Sequence, residues 1–232
     1  MDIKYAAVEN YLGKLMEETA VFLSNIGVDE ETADELSEVV SELVGNAYEH
    51  STETECLVDI DVAPYFRNNK NNMECYGINV VILNFSQELL GDGIKRKLSD
   101  KNFIEGRYKT VAKAYKKHSI NFDRNYNEDD FYNVMAFQDH ISGRKENSEM
   151  GGRGLTCLID SLCEKSEANQ CYVLSGNKGI MLNTEYLQYN DDNWLGFNDS
   201  NDIFDLPNKS LILRSDTYFC GVAYNLNFII NK

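Results

Sequence analysis

Residues 30–51 read EETADELSEVVSELVGNAYEHS, and the fold follows from how that stretch is read. Leu36, Val39, Val40, Leu43, Val44 and Ala47 recur at helical steps, which gathers them on one face of an α-helix. Asp29 precedes the run, and Glu30 and Glu31 fill the first turn. That is the pattern of a helix N-terminus, with the Asp29 carboxylate capping orphan N–H groups. The spacing predicts a helix over 30–50 with one face in a core. Its flank carries Glu42 and Asn46, one turn apart and so neighbours on the helix surface. Together they offer carboxylate and carboxamide oxygens to a hard cation such as Mg²⁺, which prefers oxygen donors and keeps water and phosphate ligands. Glu42 also suits the task of orienting or deprotonating a water. The polar flank of any amphipathic helix carries such residues too, so the pair alone leaves both readings open.

Working outward, residues 1–26 read as a helix, with Tyr5, Val8, Leu12, Leu15 and Met16 at helical spacing. Residues 56–63 (CLVDIDVA) alternate like a half-buried strand. Residues 65–75 are Asn-rich and predict a turn or hairpin loop. Residues 77–86 (GINVVILNFS) are almost continuously apolar, as in a buried strand. Residues 87–150 are long and charged. Within them an amphipathic stretch, Ile104 to Tyr115, leads into a basic run from Arg107 to Lys117. Residues 151–165 open on Gly-Gly-Arg-Gly and predict a helix. Strands are expected at 170–175, 179–183, 210–215 and 218–230, with an acidic, aromatic insert around Trp194 at 188–208. Helices come first, then strands mixed with helices, which predicts an α+β layered fold. Two prolines, no internal repeat and no low-complexity stretch predict a single domain over 1–232.

A chain of 232 residues that is 43% hydrophobic and 11% aromatic has the composition of a folded globule. The formal net charge of −16 excludes general nucleic-acid binding, which needs clustered Lys and Arg, and disfavours an anionic membrane. Cys56, Cys75, Cys157, Cys163, Cys171 and Cys220 are scattered, without the tight spacing of a zinc site or disulfide framework. They are read as reduced thiols of a cytoplasmic protein. No apolar stretch is long enough to span a bilayer, and the N-terminus lacks a signal-peptide core.

Three motifs together carry a resemblance. The first is ELVGNAYEHS (42–51). The second is EMGGRGLTCLI (149–159), where glycines ahead of a helix let backbone N–H groups converge on an anion. The third is the end of the second strand, Leu83-Asn84-Phe85-Ser86-Gln87-Glu88. In that order they resemble the N-box, second glycine box and adenine box of the GHKL ATPases, the superfamily of gyrase, histidine kinases, heat-shock chaperones and mismatch-repair ATPases.

The resemblance implies Mg²⁺ and ATP as ligands. Asn46 takes the place of the family's metal-binding Asn, and Glu42 that of its catalytic base. Gly151, Gly152, Arg153, Gly154 and Leu155 fall where the family holds phosphates. Asn84 stands where the family has an adenine-reading Asp, and Ser86 and Glu88 replace the following glycines. An Asn oxygen still accepts a hydrogen bond but adds a donor and carries no charge. Leu90-Gly91-Asp92-Gly93-Ile94 is a second candidate for that box. Ser210, ahead of the last strands, keeps a hydroxyl where the family has a Thr. Arg144 is a further phosphate candidate.

The implied fold is a two-layer α/β sandwich. It has a mixed, mostly antiparallel sheet, helices on one face and a lid within 87–150. About thirty residues precede the Glu42 helix, and no transducer-sized segment follows residue 183. The expectation is therefore a stand-alone domain, closest to the anti-sigma-factor serine kinases. It would have a regulatory protein partner and room for a homodimer. The competing expectations are a nucleotide-gated module and a degenerate fold that acts by protein contact alone.

Overall fold

A computed structural model describes residues 3–50, 55–67, 74–100, 105–139, 141, 154–166 and 170–231. Helix α1 (Ile3–Asn25) is followed by α2 (Glu30–His50). The α2 bounds are those its periodicity predicts, and Asp29 caps it by accepting a bond from the Thr32 N–H at 3.0 Å. Strands β1 (Glu55–Arg67) and β2 (Glu74–Phe85) form a hairpin. Helices α3 (Asp92–Ser99), α4 (Tyr108–Ser119) and α5 (Glu128–Met135) come next. Then α6 (Gly154–Lys165), β3 (Tyr172–Met181) and β4 (Ile212–Asn231) complete the order.

The sheet order is β1-β2-β4-β3, and all three pairings are antiparallel. This confirms α+β layering but corrects the expected mixed sheet. Ile78, Val80, Ile82 and Asn84 point to the covered face of β2, and Val222, Tyr224, Leu226 and Phe228 to the same face of β4. The hydrophobic face of α2, led by Leu36, Val39, Val40 and Leu43, closes over β2, while α6 covers β4 through Leu158, Ile159 and Leu162. Burying such side chains contributes about 1.5–3 kcal/mol each, which is why the period-3.6 and period-2 patterns must meet on this plane. Register breaks only where chemistry demands it. β1 bulges between Ala63 and Phe66, around Pro64, which has no N–H for the ladder.

Two sequence expectations change. The strands expected at 170–175 and 179–183 are one strand. Gly176, at φ 64°, takes up the register shift, so the break is a bulge rather than an end. The pair expected at 210–215 and 218–230 is likewise one twenty-residue strand. The second change concerns the segment read as a lid, whose described part packs into the same core cluster as α2, the sheet and α6. Phe131, Val134, Met135 and Phe137 are fully buried, and Tyr115 lies edge-on to Phe131 and stacked with Tyr132. His118 is buried between the Tyr126 hydroxyl (2.7 Å) and the Ile203 carbonyl (3.0 Å), and burial pushes its pKa down. It is a core histidine held by two partners.

The two ends of the basic run engage the acidic insert, while Lys109, Lys113 and Lys116 between them stay exposed. Arg107 stacks 3.8 Å from the Trp194 ring and donates to the carbonyls of Asp192 and Asn193, and Lys117 pairs with Asp205 at 2.9 Å. The acidic insert is thus a cover locked to α4, with Trp194, Leu195 and Phe197 buried beneath it. Among the described residues no helix is long and apolar enough to cross a membrane, and none of the six cysteines is disulfide-bonded.

Candidate functional site

The connection between α2 and β1 fixes the site's position. The chain leaves α2 at His50 and enters β1 at Glu55, which pairs with Phe85 at the end of β2. The C-terminal ends of α2 and β2 therefore lie at one end of the molecule. Helix α6 runs antiparallel to α2. Its first turn, with Thr156 and Cys157, shares a cleft with Glu42, while Lys165 in its last turn bonds Glu35 near the α2 N-terminus. The N-terminus of α6, starting at Gly154, therefore points to the same end. The first four N–H groups of a helix lack intrahelical acceptors and favour an anion.

The element ends that carry Glu42 and Asn46, Asn84, and Gly154 and Leu155 thus lie toward one end, and of these residues Glu42 lines the cleft. Glu42 and Asn46 are half-buried on the α2 flank, about 6 Å apart along the helix axis. Asn84 is only 6% exposed and sits on the covered face, in a cross-strand row between Cys56 and Val222. Gly221 lets β4 approach this point. It holds φ 121°, and a Cβ there would lie 1.9 Å from the Asn84 carbonyl oxygen. Leu155 packs against the core, so only its backbone is offered to a ligand. Gly151, Gly152, Arg153 and Arg144 lie outside the described residues.

The rival adenine-box residue, Asp92, is otherwise occupied. It opens α3, and its carboxylate accepts the Leu89 N–H at 2.8 Å. Gly91 beside it is needed because a Cβ would meet the Tyr132 Cβ at 2.5 Å. That Asp-Gly pair is turn chemistry. In place of the family's glycines, the Ser86 hydroxyl accepts the Glu88 N–H at 3.0 Å and Glu88 pairs with Arg96, so side chains build that turn. Ser210 does not join the site. It is exposed in a short 3₁₀ turn, its hydroxyl donating to Asn208. It precedes Ile212, which lies on the order of 30 Å of strand from Val222, the Asn84 partner.

The cleft between α2 and α6 holds about 490 Å³. Glu38 and Glu42 line one wall and Asp160 and Glu164 the other, with Asp139 and Thr156 at one side. The Thr156 hydroxyl donates to Asp139 at 3.2 Å. Burial pushes the Cys157 thiol up to about 11, and the neighbouring Glu38, Glu42, Asp160 and Glu35 carboxylates add to the rise. Burial, then Glu164 and Asp139, also raises the Asp160 carboxyl. Sequence reading found Glu42 but missed the acidic row it belongs to. Glu35, Glu38 and Glu42, at steps of three and four on one flank, were a readable signal. Asp139 and Asp160 were not, because nothing local relates them to α2.

Glu42, Asn46 and Thr156 are hard oxygen donors, which suits Mg²⁺. Among the described residues no three His, Cys, Asp or Glu side chains are grouped to hold an ion by themselves. No family model, curated protein or solved structure compared with this chain matches it.

Proposed function

We propose that this chain is a Mg²⁺-dependent ATP-binding domain that acts as an ATPase or as a protein kinase in regulation. One observation carries the reading. The helix flank that carries Glu42 and Asn46, the Gly154 start of α6 and the β2 end that carries Asn84 lie toward one end of the fold, although they are far apart in sequence, and Glu42 lines the cleft there. When bound, Mg²⁺ would neutralise phosphate charge and hold the triphosphate oxygens. Asn46 would hold the ion through its carboxamide oxygen. The first turn of α6 would present N–H groups to phosphate. Asn84 would face the base with both an acceptor and a donor, so its discrimination between adenine and guanine is weaker than an Asp would give.

Glu42 would act as general base, on a water for hydrolysis or on an acceptor hydroxyl for transfer. Carboxylates on both cleft walls repel a bare triphosphate, so nucleotide binding should require the cation. Loss of turnover in Glu42→Ala with retained MgATP binding supports this assignment. Unchanged turnover removes Glu42 from the chemistry and favours a nucleotide-gated module, whose output is the conformation of the site rather than a product.

A further inference from the structure

The cleft between α2 and α6 runs on past Glu42, toward the α2 N-terminus, and its far end shows what chemistry it accepts. There the Lys165 ammonium is drawn between Glu35 and Glu164, bridging the two helices, with its side chain only 14% exposed. The middle of the cleft has no such group. Among the described residues Glu38, Glu42 and Asp160 have no cationic partner. A second feature of this stretch is independent of charge. Ser161 lines the cleft, is 5% exposed, and among the described residues its hydroxyl has no hydrogen-bond partner. A helical Ser usually returns its proton to a carbonyl one turn back, as Ser99 does to Lys95 at 2.8 Å. The Ser161 hydroxyl opens on the cleft without a protein partner among the described residues and can accept from a donor that enters it.

We propose that this cleft is a docking groove for a basic segment of a partner protein, whose Lys or Arg side chains enter between Glu38 and Asp160 and donate to the Ser161 hydroxyl. Arg and Lys have the reach and the donors for this. Their stems can lie along the apolar part of the walls while the charged head meets the carboxylates. Burial, then the Glu164 and Asp139 carboxylates beside it, raises the Asp160 carboxyl, and a cation arriving there offsets that cost. A bare divalent ion fits less well, because no three acidic side chains are grouped to share one among the described residues. The groove shares Glu42 and Thr156 with the position proposed for nucleotide, but Glu38, Asp160 and Ser161 have no role in that reading and the docking does not depend on nucleotide binding.

The test is fluorescence anisotropy of a fluorescein-labelled hexa-arginine peptide titrated with the full chain at near-physiological salt. Glu38→Gln/Asp160→Asn should weaken binding about tenfold or more. Ser161→Ala should weaken it about threefold, as expected for one lost hydrogen bond. The control is Asp59→Asn/Asp61→Asn. It removes the same charge from the exposed face of β1, on the side of the sheet opposite α2, and should change binding less than about twofold. Equal weakening by both double variants would reduce the effect to general attraction by an acidic protein and overturn the proposal. No peptide binding would also overturn it. So would displacement of the peptide by Mg²⁺ well beyond that by NaCl of equal ionic strength, which would reassign the cleft to a metal ion. The nucleotide reading fails separately: loss of peptide binding leaves the ATP heat intact, and Asn46→Ala should remove the ATP heat while sparing the peptide.

Discussion

Where α5 meets α3, β3 and β4, Glu128, Asp129 and Asp130 face Lys95, Lys178 and Arg214. Across the α2–α6 cleft, Glu38, Glu42 and Asp160 face one another. The first set is fully answered. Arg214 grips Asp130 with two bonds of 2.7 Å, Asp130 also accepts the Asn127 N–H at 2.8 Å, and Lys178 reaches Asp129 at 2.7 Å. Among the described residues the one cation on that cleft, Lys165, lies at its far end between Glu35 and Glu164. The same residue types thus do different work. Answered carboxylates fasten one layer to the next. Unanswered ones keep a local field that folding alone would not select, which is where a ligand is sought.

The largest effect expected is at the answered set. Arg214→Ala leaves the Asp130 carboxylate, 1% exposed, without its partner and should cost about 3 kcal/mol in urea denaturation. A loss below about 1 kcal/mol would put both regions on one footing and break the contrast.

The two regions should also respond oppositely to acid. Hydrogen bonds from Lys95 and Tyr115 hold the Glu128 carboxyl below its ordinary value of 4.5. Its contribution is present above that value and is lost as pH falls through the depressed one. The deficit of Glu128→Gln should therefore be largest near neutrality and shrink in acid. The Asp160 carboxyl is raised above 3.8, so its contribution is present below 3.8 and lost as pH rises through the raised value. Asp160→Asn should gain on wild type over that rise, reaching about 0.5 kcal/mol at neutral pH. Paired thermal melts across the acid range check both signs. The smallest effect is expected at the exposed Lys14–Glu18 pair on α1, where Lys14→Ala should change stability by less than about 0.5 kcal/mol.

The contrast marks what the sequence could and could not disclose. Helix α2 was legible to the residue, because apolar period, capping Asp29 and acidic first turn all act within one segment. The residues of α2, β2 and α6 proposed for a nucleotide site stand out in the sequence as short motifs, and the topology places those element ends toward one end of the fold. The continuity of β3 and β4 was hidden, because Gly176 looks like a break and acts as a bulge. The packing of the 87–139 segment was hidden too. Its aromatic cluster joins α4 to α5, and its charged face dominates the pattern read along the chain. The cleft needs two helix flanks to meet, and a single chain carries no local mark of which flank meets which. Ser210 misled for the converse reason. A hydroxyl before a strand is common, and this one donates to Asn208, the cap of its own turn.

The central claim is that α2, β2 and α6 form a Mg²⁺-dependent nucleotide site. Isothermal titration calorimetry of ATP, with and without Mg²⁺, on wild type and Asn46→Ala tests it most directly. The account predicts micromolar binding that requires Mg²⁺ and disappears in the variant. The absence of heat with ATP, ADP and GTP in the presence of Mg²⁺, or binding indifferent to both the cation and Asn46, would contradict it.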